Sequence, residues 1–204
     1  MTQEKEIGVT LALGTKYSFT RRRRKMSKGI YFFAGIYGVG KSTLCQKLSQ
    51  ITSIPFYSAS DLISEINGEI YGVNKAVKDK NKNQDILISA VNHKLETVPS
   101  LILAGHFCIF DKEQNVEVLP EYVFKDLHIL QIVLLEAPID RISSNIRNRD
   151  AKDYSPDALM TIKETEHYQA CKIAGELRVP FLVHEMQFDS SDTESVAQFL
   201  TSGE

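Results

Sequence analysis

Gly35-Ile36-Tyr37-Gly38-Val39-Gly40-Lys41-Ser42 matches the pattern G-x-x-x-x-G-K-[ST] at every fixed position. Each fixed residue answers a physical need. Gly35, Gly38 and Gly40 let consecutive backbone N–H groups, that of Val39 among them, turn inward into an anion cradle that a Cβ would obstruct. A helix starting near Lys41 aims its positive dipole end and its unpaired amides at the bound oxygens. The Lys41 ammonium then neutralises β- and γ-phosphate charge, Ser42 offers a hydroxyl to Mg²⁺, and Thr43 reaches the α-phosphate. Chance alone places this pattern in roughly one ordinary chain in a hundred. The flanking sequence makes chance a poor explanation, because the pattern sits between a strand-like and a helix-like segment.

Working outward, Ile30–Ala34 is a short apolar run closed by a glycine turn, as a buried strand requires. Lys41–Ile51 follows as a helix with Leu44 and Leu48 on one face. Further strands are predicted at Ile54–Tyr57, Leu101–Ala104, Ile129–Leu135 and Phe181–His184. Helices are predicted from Leu62 to about Ile70, with fraying near Asn67-Gly68 or Tyr71-Gly72, and over Gln84–Thr97, Pro138–Arg149, Pro156 to about Arg178, and Ser195–Leu200. Residues 72–84 read as an exposed, mobile loop, and residues 107–120 as a hairpin or irregular excursion with Asp111–Asn115 at its tip. Strands alternating with helices specify an α/β fold of three layers, a five-stranded parallel sheet flanked by helices. Ligands of such sheets gather at the carboxyl ends of the strands, which directs attention to the residues just after each one.

Composition narrows the class. Of the 204 residues, 43% are hydrophobic and 25% charged, ordinary values for a soluble globular domain. No run of about 18 apolar residues is present, so no membrane partner is expected. Cys45, Cys108 and Cys171 are widely spaced, without metal-ligand or CxxC spacing, and fit reduced packing residues of a cytoplasmic protein. Residues 1–25 hold seven Lys/Arg against two Asp/Glu, whereas residues 26–204 hold 17 against 24. The chain divides accordingly into a basic tail, 1–25, and a nucleotide-binding domain, 26–204. The tail ends in Arg21-Arg22-Arg23-Arg24-Lys25 and reads as disordered, as a nucleic-acid-binding arm or address, or as sequence upstream of a true start at Met26.

Three stretches together resemble the adenylate-kinase-like nucleoside and nucleotide kinases of the P-loop NTPase superfamily. They are the loop within residues 30–48, Phe56-Tyr57-Ser58-Ala59-Ser60-Asp61-Leu62, and Leu134–Asp150. No N-K-x-D-like guanine motif accompanies them, which disfavours a GTPase. The resemblance implies a P-loop NTPase fold with a small lid near Asp150–Ser155, and the use of ATP with Mg²⁺. It implies that Asp61 binds the acceptor or positions Mg²⁺ with Ser42, although Ser58-x-x-Asp61 is also a capping-box pattern. It implies that Arg147 and Arg149, with Arg141 a weaker candidate, close over the transferring phosphate. It also places adenine recognition near His184-Glu185-Met186. Two departures stand out. The strand at Leu101–Ala104 ends in Ala104 where many relatives place a Mg²⁺-holding acid. Glu136, at the end of the next strand, needs a cationic partner, and Arg141 is the expected one.

These residues favour ATP-dependent phosphoryl transfer to a small acceptor, a nucleoside or nucleotide. A nucleotide sensor with little turnover is the second reading, supported by Ala104. A polynucleotide 5′-hydroxyl kinase is the third, supported by residues 21–25. Acceptor, base and oligomeric state leave no trace in a single chain.

Overall fold

The computed structural model describes residues 9–10, 16–17, 28–67, 80–150 and 153–202. In the amino-terminal region, β1 (Val9–Thr10) and β2 (Lys16–Tyr17) pair antiparallel. The rest of the basic tail, including Arg21–Lys25, lies outside the described residues.

The main sheet is built on β3 (Gly29–Ala34), the apolar run that precedes the phosphate loop. Its companions are β4 (Phe56–Ser58), β5 (Ser100–Ala104), β8 (Ile129–Glu136) and β9 (Phe181–Glu185), in the spatial order β4-β5-β3-β8-β9 with every pairing parallel. All six residues of β3 are buried, because it lies inside the sheet and is covered on both faces. Successive side chains of a strand point to opposite faces, and the packing follows that alternation. Ile30, Phe32, Leu101, Leu103, Ile132 and Leu134 enter one core. Tyr31, Phe33, Ile102, Ala104, Val133 and Leu135 enter the other.

The helices fill both outer layers. α2 (Ala59–Asn67), α3 (Lys80–Thr97) and the short α4 (Glu121–Asp126) cover the first face. α1 (Lys41–Thr52), α5 (Ile139–Asp150) and α7 (Ser190–Ser202) cover the second. The 22-residue α6 (Pro156–Leu177) serves both, with Leu159 and Ile162 in the second core and Ala170 and Ile173 in the first. At 1.5 Å per residue it runs for about 33 Å, long enough to pass from one layer to the other. It begins cleanly: Ser155 accepts a hydrogen bond from Ala158 N–H at 3.1 Å, with Pro156 directly behind the cap.

The predicted five parallel strands are all present, with shifts of one or two residues at their ends. Three local expectations change. α3 starts at Lys80, so the polar segment expected as loop over 72–84 is helical in its last residues, and 68–79 lies outside the described residues. α7 starts at Ser190, five residues before the apolar positions that signalled it. α4 was not expected, since six residues offer too little periodicity to read. The 107–120 excursion is a hairpin of β6 (Cys108–Phe110) and β7 (Val116–Val118). Its tip is closed by Asp111, whose Oδ1 accepts the N–H groups of Glu113 and Asn115 at 2.9 and 2.8 Å. The lid segment is described except for residues 151–152.

Candidate nucleotide site

The eight residues between β3 and α1 form a turn already shaped to hold an anion. Gly35, Gly38 and Gly40 all have positive φ, at 138°, 77° and 101°. A Cβ at Gly35 would lie 2.6 Å from Leu135 O, and one at Gly38 would lie 2.7 Å from Ile146 Cγ1 and 2.9 Å from Ile142 O. The loop is thus wedged against β8 and α5, and glycine is required there by contact as well as by φ. Val39 is buried beneath it. Asn145 of α5 donates from Nδ2 to Gly38 O at 2.8 Å, a second clamp from the same helix.

Lys41 arches back over this turn and donates to Gly35 O at 2.5 Å and to Ile36 O at 3.1 Å. Burial pushes its ammonium down to about 8, against opposing pulls from Glu166 and Cys45, while Arg149 lowers it further. Ser42 and Thr43 stand exposed in the first turn of α1. A cleft of about 420 Å³ opens beside them, bounded by Gly40, Thr43, Lys47, Arg149, Met186 and Phe188.

The far wall of that cleft follows β9. Phe188 has a left-handed backbone, φ 64°, held by Asp192 at the start of α7. Asp192 accepts Gln187 N–H at 2.8 Å, Phe188 N–H at 2.7 Å and His184 Nε2 at 2.8 Å. Burial alone would raise the Asp192 carboxyl, and these hydrogen bonds together hold it below its usual range. Arg141 lies over the Phe188 ring at 4.6 Å. Of His184, Glu185 and Met186, the residues expected near a base after the last strand, Met186 alone is among those that line this cleft, with Phe188 and Asp192 as members the sequence had not singled out.

The remaining expected residues separate. Arg149 lines the cleft and acts electrostatically on Lys41, as its place one turn beyond Ile146 suggested. Arg147 points outward, bonded to Ser143 Oγ at 3.1 Å and paired with Asp153 at 3.5 Å. Asp61 is exposed in the first turn of α2, at the carboxyl end of β4. Since β5 intervenes between β4 and β3, Asp61 follows a strand roughly 10 Å from the one that carries the loop. Ser58 Oγ bonds Ser60 Oγ at 2.8 Å instead of closing a capping box with Asp61. The expected Arg141–Glu136 pair is absent: Glu136 bonds His167 at 2.7 Å and faces Lys163 at 3.6 Å. The cause is position, since α6 passes directly over the end of β8 while the Phe188 ring draws Arg141 the other way.

On the opposite side of the loop, Tyr37 meets His106 at 4.6 Å between ring centroids and stacks on Phe110 at 6.2 Å. Phe110 in turn stacks on Tyr154 at 5.0 Å. These half-buried rings join the loop, the end of β5, the hairpin and the start of α6 into one aromatic wall.

Glu166 was not anticipated. It is 1% exposed, and its Oε1 accepts Gly35 N–H at 3.0 Å while Oε2 accepts the N–H groups of Phe107 and Cys108, each at 2.8 Å. A sequence signal existed: Glu166 falls on the stripe Leu159, Ile162, Glu166, Ala170, Ile173, where an acid is out of place on an apolar helix face. Among the described residues, no cluster of three or more His, Cys, Asp or Glu side chains could hold a metal. The donor set nevertheless fits Mg²⁺, which is usually carried on substrate phosphates with one or two protein oxygens. Ser42, at the mouth of the cradle, is such an oxygen.

A glycine-rich G-x-x-x-x-G-K-[ST] loop at the carboxyl edge of a five-stranded parallel sheet, between two helical layers, is the P-loop NTPase fold. The chain belongs to the AAA domain family, whose model matches residues 34–163. No curated protein matches it in sequence. In structure it is similar to shikimate kinase from Bacteroides thetaiotaomicron, with 17% identity, TM-score 0.55, and 85% of this chain and 96% of that one covered. It is also similar to the shikimate kinase of Acinetobacter baumannii in complex with shikimate, at 12% identity, TM-score 0.57 and coverages of 87% and 93%. A gluconokinase from Sinorhizobium meliloti gives 12% identity, TM-score 0.52 and coverages of 88% and 94%. At these identities the likeness establishes the shared fold.

Proposed function

We propose that the protein is an ATP-dependent kinase that transfers the γ-phosphoryl group to a hydroxyl of a small acceptor, of the nucleoside or nucleotide class. The observation that carries this reading is the cradle at Gly35–Ser42, with Lys41 bent over it and Arg149 at the mouth of the adjoining cleft. The shikimate kinases and the gluconokinase of similar fold support phosphoryl transfer to a small acceptor, while the nucleoside or nucleotide class rests on the residues of this chain. Phosphoryl transfer asks little covalent work of a protein, so positioning and charge neutralisation dominate.

In this scheme the cradle amides and Lys41 hold the β- and γ-phosphates, and the base enters the cleft beside Met186 and Phe188. When bound, Mg²⁺ neutralises phosphate charge and fixes the reacting geometry; Ser42 supplies its protein oxygen, and Asp61 acts from the acceptor side. The acceptor oxygen forms its bond to Pγ as the bond from Pγ to the bridging oxygen breaks, and ADP leaves. Asp61 takes the acceptor proton. Arg149 stabilises the charge spread over the moving phosphoryl group, and Arg147 joins it by giving up Asp153 on closure.

The acceptor side refines the choice. The sequence contains no arginine between Lys25 and Arg141, so β4, α2, α3, β5 and the hairpin offer no bidentate clamp for a carboxylate or phosphate. Rings stand at that side instead: His106 just after β5, Phe110 on the hairpin and Tyr37 of the loop. That combination favours an uncharged acceptor bearing a planar ring, a nucleoside ahead of a nucleotide or a sugar acid. Its three free cysteines and the absence of any described helix long and apolar enough to cross a membrane agree with a cytoplasmic setting.

The nucleotide-sensor reading rests on Ala104, which ends β5 without a carboxylate. ATP consumption in Mg²⁺ buffer, against a panel of nucleosides, nucleoside monophosphates, small hydroxy acids and 5′-hydroxyl oligonucleotides, separates these readings. Stimulation by nucleosides and not by the acids is expected. Tight ATP binding with no stimulation across the panel would favour the sensor, and stimulation by oligonucleotides alone would favour the polynucleotide kinase.

A further inference from the structure

Asp192 lies inside the first turn of α7, yet its carboxylate bonds backwards, to the chain that leaves β9. Its Oδ1 accepts Gln187 N–H and His184 Nε2–H, each at 2.8 Å, and its Oδ2 accepts Phe188 N–H at 2.7 Å. Capping α7 falls to a different residue, since Asp189 Oδ1 accepts Ser191 N–H at 2.8 Å. Asp192 is 2% exposed, and burial of a carboxylate is costly unless such bonds offset it. What the buried group fixes is the turn at Phe188. An aromatic residue at φ 64° is rare, and a backbone of this kind persists where its surroundings determine it.

The consequence falls on the cleft beside the phosphate loop. The Phe188 ring stands directly behind that loop: a Cβ at Gly40 would lie 3.6 Å from Phe188 Cε1 and 3.2 Å from Met186 Cε. Gly40, Met186, Phe188 and Asp192 all line the one cleft. The ring and the thioether give its wall an apolar, polarisable surface, which suits a planar base and not a phosphate. We propose that Asp192 is a positioning residue for the base end of the nucleotide site: it holds the Gln187–Phe188 turn in its left-handed form and so sets the ring against Gly40, where the base packs. Both amides of the turn are engaged by Asp192, so what the turn contributes to the wall is the Phe188 ring. Asp192 acts through that ring. The proposal rests on the reading of this cleft as a nucleotide site.

The test is calorimetry of the full chain with Mg²⁺–ADP and with Mg²⁺–pyrophosphate, which lacks the base. Asparagine turns an NH₂ group toward a donor that the carboxylate accepts. Asp192→Asn should therefore weaken ADP about tenfold, the worth of one charge-assisted hydrogen bond, and leave pyrophosphate within about twofold. Phe188→Gly removes the ring while glycine takes the left-handed turn freely, and it should weaken ADP by a similar factor. Adding Asp192→Asn to Phe188→Gly should then cost less than about twofold more, because the ring that Asp192 positions is gone. Equal losses for ADP and pyrophosphate in Asp192→Asn would overturn the proposal, since a distorted loop or fold weakens both. Unchanged ADP affinity, or additive losses in the double variant, would overturn it too. Should Asp192→Asn not fold, Phe188→Gly decides: ADP weakened with pyrophosphate kept is expected, and equal or absent effects sink the idea. Wild type that binds pyrophosphate as tightly as ADP has no base wall, which also overturns it. Wild type that binds neither removes the nucleotide-site reading itself.

Discussion

In the proposed reading, Lys41 combines two demands that conflict. It must carry charge to meet phosphates, yet it is folded against Gly35 and Ile36 carbonyls where solvation is poor. The result is an ammonium that titrates near 8. Bound phosphate favours the charged form, so the midpoint in the complex lies higher. Between the two midpoints binding takes up a proton, and affinity falls with rising pH by up to about tenfold per unit. Calorimetry of Mg²⁺–ADP binding from pH 7 to 9.5, in buffers of different ionisation enthalpy, should show proton uptake appearing above pH 8; its absence would mean Lys41 does not meet the phosphates. Replacing Lys41 with Ala should lower turnover by about 100-fold or more while thermal unfolding shows the fold retained. Full activity in that variant would remove the kinase reading. Asp192 predicts a separate acid limb. Its carboxyl is held below the usual carboxylate range, so its contribution is complete above the unfolded value and disappears as pH falls through the folded one. Asp192→Asn should abolish that part of the acid destabilisation seen in the wild type.

Helix α5 shows how an element serves the site with both faces. Its buried stripe, Ile142 and Ile146, supports Gly38 from below, and the next turn brings Arg149 to the cleft. A Cβ at Gly38 would meet that stripe at 2.7 Å with φ at 77°, so Gly38→Ala should cost about 1–3 kcal/mol of stability. It should also weaken nucleotide binding, whereas Ala at the open Gly175, which meets nothing within 4 Å, should do neither. The two arginines of the last turn make a sharper comparison. Arg149→Ala should reduce kcat about 100-fold with nucleotide affinity changed less. Arg147→Ala should have a smaller effect, since in this state its guanidinium serves Asp153. Equal losses would mean both close over the phosphate. The sequence placed α5 correctly, because its 3.6-residue stripe is visible in any single chain. The same stripe carries on to Arg149 and marks it as the inward arginine, whereas the pairing of Arg147 with Asp153 is a tertiary contact that spacing does not show.

At the scale of the whole molecule, the sheet order β4-β5-β3-β8-β9 brings together residues far apart in sequence. Removing residues 1–25 should leave the unfolding temperature and Mg²⁺–ADP affinity unchanged, because β3 opens the main sheet at Gly29 and the described core residues lie from Ile30 onward. A loss of nucleotide affinity would give the tail a place in the site. The shape of the loop at 35–42 was legible at once, since it lies in local backbone geometry that its glycines specify by themselves. The five strands were legible too, because alternation and apolar runs are local properties. The partners of Glu136, the stacking of Arg141 on Phe188 and the partners of Glu166 were not. Each depends on which element passes over which strand end, and Glu166 meets Gly35 across 131 residues of chain. Local chemistry marked the loop at 35–42, and the apolar stripe of α6 holds Glu166 as an acid out of place; only the tertiary path of α6 set that carboxylate against Gly35, because the contact is made by packing between elements 131 residues apart in the chain.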